Sequence, residues 1–441
     1  MANQIRSRLG LKAILALSAA GALILSGCSG GTDDGDGSND GDGNRATEFS
    51  VLITAENSAG ADMLERLAEG PCADANAALP YTLDQTPSAQ MQQKILLLAG
   101  QDALPVMFAA GQQFIYKDGQ LAAAGQVLDV KATLTDLGVF DLITPAAQSV
   151  VDQLYDGEFP SLPLQFNTEG IFYNKDLFAQ NGIDVPETVD ELLEAARTLK
   201  AAGLTPIVAS GKTGWSISRW VGEFIFRDLG ADAMMRVRDG QAKLTDPEYV
   251  RAAQRLQDMG LEGLFINGIT NVDMDTALNQ LFTGQAAMMY NLTNTLQRIN
   301  DPAVNTQNLG FFPFPAITGG KGSIDDLPAN VGSPNVLSNK LYGPNVGLWL
   351  KCMAENYGSV SMESQGVYSG FKINTPVANV APLTAEIQER IDNATSTVLW
   401  FEALFNQKAT TDASNNAAPL LTGAMSAEEY MTVLQADLEE G

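Results

Sequence analysis

Histidine is absent from all 441 residues of the chain. That removes every mechanism built on an imidazole base, from Ser-His-Asp and Cys-His hydrolysis to His-ligated zinc. The 52 Asp and Glu residues leave a glycosidase-type acid pair open on composition alone. No pair stands apart from the many acids expected at the surface. Gly211-Lys212-Thr213 has the look of the end of a phosphate-binding loop. The glycine needed five places earlier is Pro206, so the loop cannot form that cradle. Neither a Gly-x-Ser-x-Gly elbow nor a Cys-x-x-Cys pair occurs beyond the N-terminal segment. Asp36, Ser38, Asp40 and Gly41 match the opening of a calcium loop, but the closing position is Thr47 rather than an acid. None of these motifs is complete.

The N-terminus says where the chain acts. Residues 1–27 carry Arg6, Arg8 and Lys12 with no acid, followed by an apolar run from Leu11 to Leu25. This is the pattern of a secretory signal. The run ends in Leu25-Ser26-Gly27-Cys28, which resembles the lipobox of bacterial lipoproteins. The resemblance implies cleavage before Cys28, diacylation of its thiol, and anchoring to the outer face of the bacterial cytoplasmic membrane. Residues 28–46 then form a tether, since Ser29 to Asn44 contains only Gly, Ser, Thr, Asp and Asn and nothing that can be buried.

Composition bounds the rest. At 45% apolar and 18% charged residues the chain is globular, and at this length two domains are expected. The formal charge is −26; losing the signal leaves 23 bases against 52 acids, a charge of −29. Nucleic-acid binding is excluded, because it needs basic surface to neutralise phosphates. Cys72 and Cys352 remain beside Cys28, and they are either a disulfide or two buried thiols.

The elements that must position a site alternate between strand and helix. Phe49–Thr54 and Pro105–Ala109 read as buried strands, with helices at Ala61–Leu67 and Gln90–Leu98. Thr188 with Glu191 is a capping-box signature, opening a helix that stops at Gly203 before a strand at 205–209. Further helices are expected at 246–259, 273–283, 384–406 and 427–439. The pattern indicates an α/β fold with mostly parallel sheets.

Several blocks carry a family resemblance. Leu162-Pro163-Leu164-Gln165-Phe166-Asn167-Thr168-Glu169-Gly170-Ile171-Phe172-Tyr173-Asn174-Lys175-Asp176-Leu177-Phe178 is similar to the hallmark segment of family 1 extracellular solute-binding proteins. These serve carbohydrate ABC importers and are maltose-binding-protein-like. The stretches 182–192, 202–207, 281–291 and 309–315 follow in the family's order, so the resemblance runs from about Phe49 to the C-terminus. It implies a two-lobe periplasmic-binding-protein-like fold with a hinge and an interlobe ligand cleft. Residues 47–165 plus 316–366 would form lobe 1, and 166–315 plus 367–441 lobe 2. Crossings are expected at Leu162–Phe166, Phe312–Ile317 and 366–371, where proline keeps the first two extended.

Sugar recognition needs aromatic faces against C–H surface, with amides and carboxylates for the hydroxyls. By resemblance the ligand contacts fall on Glu56, Asn57, Gln112, Glu169, Trp215, Asn291, Asn294, Ser333, Asn335 and Phe371. Trp220 and Trp349 lie on apolar helical stretches and read as core. The implied protein is a lipid-anchored monomeric receptor, not an enzyme. It takes no cofactor or metal, captures a short oligosaccharide by hinge closure and delivers it to an ABC permease. The alternatives are a polyol, glycerol phosphate or peptide in the same fold, or a secreted hydrolase. The candidate loops hold only Lys212 and Arg219 as cations, which argues against a phosphate.

Overall fold

The computed structural model describes residues 45–440 apart from 305, 307 and 395. The signal segment, Cys28 and the tether as far as Asn44 lie outside them. The apolar run Phe49–Thr54 forms β1 and is buried on most of its residues. It lies parallel to both β2 (Tyr81–Thr86) and β3 (Met107–Ala109). Two short strands complete this first sheet, β4 (Ser161–Leu162) and β10 (Asn335–Leu337), in the order β2-β1-β3-β10-β4. The second sheet is built on β5 (Asn167–Asn174), with β6 (Thr205–Ile207), β7 (Ala286–Leu292), β8 (Leu309–Phe312), β9 (Leu327–Asn330) and β11 (Thr397–Leu399). Its order is β11-β9-β5-β7-β6, with β8 also on β5. The fold is therefore two-sheet α/β, as expected, but the sheets are mixed rather than mostly parallel. The reason lies in the crossings. β1, β3 and β4 run toward the edge where the chain leaves the first sheet, and β10 re-enters there against β3 and β4. β5 likewise enters the second sheet against β7 and β9.

The first crossing is Pro163–Phe166, between β4 and β5. The second differs from expectation. Residues 316–330 stay with the second sheet: Ala316 bridges Thr188, Arg227 Nε donates to the Phe314 carbonyl at 3.0 Å, and β9 pairs with β5 and β11. The chain passes from β9 in the second sheet to β10 in the first through residues 331–334. The buried guanidinium of Arg227 holds the proline-rich stretch against the second sheet. The third segment lies with the first crossing. Gly370 N donates to the Pro163 carbonyl at 2.8 Å and Phe166 N to the Tyr368 carbonyl at 3.2 Å. A side chain at Gly370 would press on Pro163 Cβ at 2.5 Å, so only glycine admits this approach. Residues 370–372 bond back to Leu142 and Thr144, which keeps them on the first half rather than the second.

Local signals explain the helices that matter for the site. The capping box at Thr188 and Glu191 forms in both directions, ahead of the helix Val189–Ala201. Gly214, at φ +71°, starts the helix Trp215–Leu229; any Cβ there would sit 1.8 Å from the Ser414 carbonyl. The helix expected over 384–406 ends at Asn393 and gives way to β11. The β-branched pair Thr397-Val398 favours that strand. Trp220 and Trp349 are buried core, Trp349 stacking on Phe49 at 4.7 Å.

Cys72 and Cys352 form a disulfide across 280 residues of sequence. It joins the start of the helix Ala73–Ala78 to the helix Pro344–Gln365, so it ties the returning chain to the sheet it left. In the chain-entropy picture, closing so long a loop stabilises a fold by about 2–5 kcal/mol. Thermal unfolding with and without reductant should show that loss, and the Cys72→Ser, Cys352→Ser double variant should match the reduced protein. An unchanged melting temperature after verified reduction would contradict it.

Candidate functional site

Two groups of side chains gather at the sheet edges that the crossings join. The first surrounds a cavity of about 240 Å³ whose lining includes Glu56, Asn57, Ser333, Asn335, Gln165 and Tyr357 over an apolar floor of Ile53, Leu64 and Leu164. Glu56 and Asn57 follow β1, and Asn335 opens β10 opposite Ala109 of β3. The Glu56 carboxylate accepts from Ser88 Oγ at 2.6 Å and Ser88 N at 3.0 Å, and these bonds hold it below the usual carboxylate range. Asn57 Oδ1 accepts from Gly60 N at 3.0 Å and caps the helix Ser58–Glu69. Asn335 Nδ2 donates to the Ser333 carbonyl at 3.0 Å. Tyr357 is 3% exposed. Burial raises the pKa of its hydroxyl. Gln112 stands half-exposed at the turn after β3, outside the cavity lining but at the same edge.

The second group belongs to the other sheet. Trp215, half-buried, is the first residue of its helix, and Trp400, also half-buried, follows the end of β11. Between them lies Arg219, with its guanidinium carbon 5.3 Å from the Trp215 ring centroid and 5.9 Å from that of Trp400. Such contacts contribute about 0.5–2 kcal/mol each. Arg219 Nε donates to Glu402 Oε2 at 2.5 Å, and its Nη1 to Glu169 Oε1. Ser218 Oγ donates to the other oxygen of Glu402. Burial alone would lower the pKa of Arg219, but the two carboxylates outweigh it and hold the guanidinium charged. Behind this array the Tyr290 hydroxyl lies 2.7 Å from Glu169 Oε2 and 2.8 Å from Glu223 Oε1. Burial pushes Glu223 up to about 7.

The structure places the other expected residues away from these two surfaces. Glu169 is 1% exposed with both oxygens engaged, one by Arg219 and one by Tyr290. Phe371 is buried, packs on Tyr357 with centroids 5.9 Å apart, and offers no stacking face. Asn291 is buried and spends its oxygen on Leu292 N at 2.8 Å, with its Nδ2 toward the Met274 sulfur. Asn294 is exposed on the turn Thr293–Thr295 and joins neither group. Glu56, Asn57, Ser333 and Asn335 do come together, and Trp215 stands on the opposite group. Sequence reading missed Tyr357, Gln165, Trp400, Glu402 and Glu223. Among the described residues no cluster of Cys, Asp and Glu side chains is set to hold a metal ion.

The description "bacterial extracellular solute-binding protein" fits residues 81–355, well over half of the chain. The chain belongs to that family. Curated relatives include the sn-glycerol-3-phosphate-binding periplasmic protein UgpB of Escherichia coli K12, 29% identical over 168 residues, 36% of this chain and 37% of that protein. UgpB of Salmonella typhimurium is 27% identical over 207 residues, 44% of this chain and 46% of that protein. The chain thus spans less than half the length of the curated relatives it matches. In fold it is similar to a chitin oligosaccharide binding protein, with a TM-score of 0.72 at 24% identity over 90% of this chain and 98% of the other. The raffinose complex of the solute-binding protein RafE gives a TM-score of 0.66 at 16% identity, over 89% and 99%. The two-lobe binding-protein fold follows from these likenesses.

Removing one partner from a buried ion network leaves the others uncompensated. Arg219→Met, which strands Glu169 and Glu402, should destabilise the fold by about 3–5 kcal/mol in denaturant unfolding. Adding Glu169→Gln to it should restore part of the loss. Two effects that simply add would show that the contact does not couple these residues.

Proposed function

We propose that this solute-binding protein is the receptor of an ABC importer. It captures a short oligosaccharide between the two sheet edges by hinge closure and passes it to the permease, with no bond made or broken. One lobe is built on β1–β4 and β10, the other on β5–β9 and β11, with the hinge at Pro163–Phe166, residues 331–334 and the segment that follows the helix Pro344–Gln365. The observation that carries this reading is the pair of half-exposed indoles, Trp215 and Trp400, flanking one fixed guanidinium. That surface suits the C–H face of a sugar ring, and the amide-lined cavity opposite suits its hydroxyls. A cavity of about 240 Å³ has room for a single ring, so a longer ligand would span both groups. In the cell the receptor would be a monomer held to the membrane through lipid on Cys28.

The match to glycerol-phosphate-binding relatives makes a phosphate ester the second reading. The charges favour the first. Arg219 is taken by two carboxylates, and Lys212 pairs with Asp273 at 3.4 Å. Among the described residues, no cation of the second group is left over to meet a phosphate.

A thermal-shift panel on the chain from residue 46 decides between them, with chito-, xylo- and raffinose-series oligosaccharides, monosaccharides and sn-glycerol 3-phosphate. At 100 times its dissociation constant, a ligand stabilises the fold by about 2.7 kcal/mol. One sugar series should respond, and Trp215→Ala and Trp400→Ala should each abolish the response. A shift with sn-glycerol 3-phosphate alone would replace the sugar by a phosphate ester.

A further inference from the structure

Tyr290 presents one hydroxyl to two buried carboxyl groups. Its oxygen lies 2.7 Å from Glu169 Oε2 and 2.8 Å from Glu223 Oε1, and each acid is 1% exposed. A phenol has a single proton to donate. Both contacts are hydrogen bonds only if one of the carboxyl groups brings a proton of its own. Otherwise a carboxylate faces the phenol's lone pairs in a dry site, where an unmade bond to a charge is most costly. Glu169 takes the Arg219 guanidinium on its other oxygen, so Glu169 carries the negative charge. Glu223 is also paired, with Arg227 Nη2, but at 3.7 Å and without a hydrogen bond, so the guanidinium holds it less closely than Arg219 holds Glu169. Glu223 Oε2 has no hydrogen-bond partner among the described residues. The extra proton belongs on Glu223.

We propose that Glu223 is a positioning residue that holds a proton around neutral pH, and that the chain Glu223–Tyr290–Glu169 uses it to fix Arg219 between Trp215 and Trp400. Glu223 then donates to the Tyr290 oxygen, Tyr290 donates to Glu169, and Glu169 holds the guanidinium. The charged and titratable groups facing Glu223 are Arg227 and Arg219 on its own helix, Tyr290 on β7 and Glu169 on β5. Glu402 lies beyond Arg219. From the neighbouring helix Pro247–Leu261, Tyr249 bonds the Ala233 carbonyl and Arg251 pairs with Asp228, so neither is directed at the chain. The rings of Trp220, Phe224 and Phe314 pack beside it without charge.

Burial raises the Glu223 carboxyl from 4.5 to about 7 in the folded protein, against the pull of Arg227 and Tyr290. The folded state therefore holds a proton that the unfolded chain has released. The stability tied to this group is complete at acid pH and is lost as pH climbs through that interval. Above it, two carboxylates share one hydroxyl, and the hold on Arg219 loosens. The effect on sugar affinity rests on the function proposed above, but the proton itself does not.

The test uses the unliganded protein. Infrared difference spectra between about pH 6 and pH 9 should show a protonated-carboxyl C=O band that disappears on raising the pH. Glu223→Gln, whose amide donates to Tyr290 as the acid does, should lack that band and remain folded. Tyr290→Phe should keep the band but shift it, because the acid loses its acceptor. Indole fluorescence of the wild type should change over the same range and stay flat in Glu223→Gln. No band in the wild type, a band unaltered in Glu223→Gln, or the same fluorescence profile in both proteins would each overturn the proposal. Because no sugar is present, a negative result here leaves the ligand panel unaffected, and a silent ligand panel leaves this result unaffected.

Discussion

Two of the three passages between the sheets are short loops. Pro163–Phe166 and residues 331–334 are four residues each, so each can span at most about 14 Å. That limit keeps the two edges within reach of one another and fixes which strand ends meet. It also sets strand direction, because a chain entering a sheet from the hinge runs against those that leave toward it. Glycine lets the segments lie close: Gly370 sits on Pro163, and Gly332, at φ +70°, sits on the Gln165 side chain. With no helix on either of these two paths, rotation between the sheets breaks none there. The Cys72–Cys352 bridge lies wholly within the first half, so it stiffens one body and leaves the other free to turn.

The two edges differ in how they manage polarity. The first offers amides, a carboxylate and a phenol around an apolar floor. The second has spent its capacity internally. Arg219 is locked by Glu169 and Glu402, and what it presents outward is ring surface with a fixed charge behind it. An arrangement of that kind is preorganised: the side chains that would meet a ligand need little further ordering, and that lowers the cost of binding. Net charge at the second edge is not positive, in keeping with an uncharged ligand.

How much of this was legible in the sequence depended on distance along the chain. The capping box at Thr188 and Glu191 could be read because its partners are three residues apart. The cluster of Glu56, Asn57, Ser333 and Asn335 was reachable because strand ends in this fold converge. Glu169 was singled out, but its ion pair with Arg219 was not, since the partner lies 50 residues away and nothing local announces the pair. Trp400 was hidden inside an expected helix; β11 ends just before it and turns the indole into a strand-end residue. Tyr357 sits on a long apolar helix and carries no signal of its own. Asn291 looked like a ligand amide because side-chain bonds to the adjacent backbone leave no trace in composition. The crossing at residues 331–334 was displaced because a proline-rich stretch at 313–315 reads as a hinge, whereas Arg227, 87 residues from Phe314, holds that stretch in place.

The central claim is that the two edges close on a ligand through the hinge. Small-angle X-ray scattering of the chain from residue 46, with and without the best-binding oligosaccharide at saturation, tests it directly. Closure predicts a smaller radius of gyration in the loaded protein and a narrower interatomic distance distribution, both reversed when the sugar is dialysed away. Identical scattering curves, at a sugar concentration where binding is verified independently, would mean that the ligand sits on one sheet alone and that the hinge plays no part in its capture.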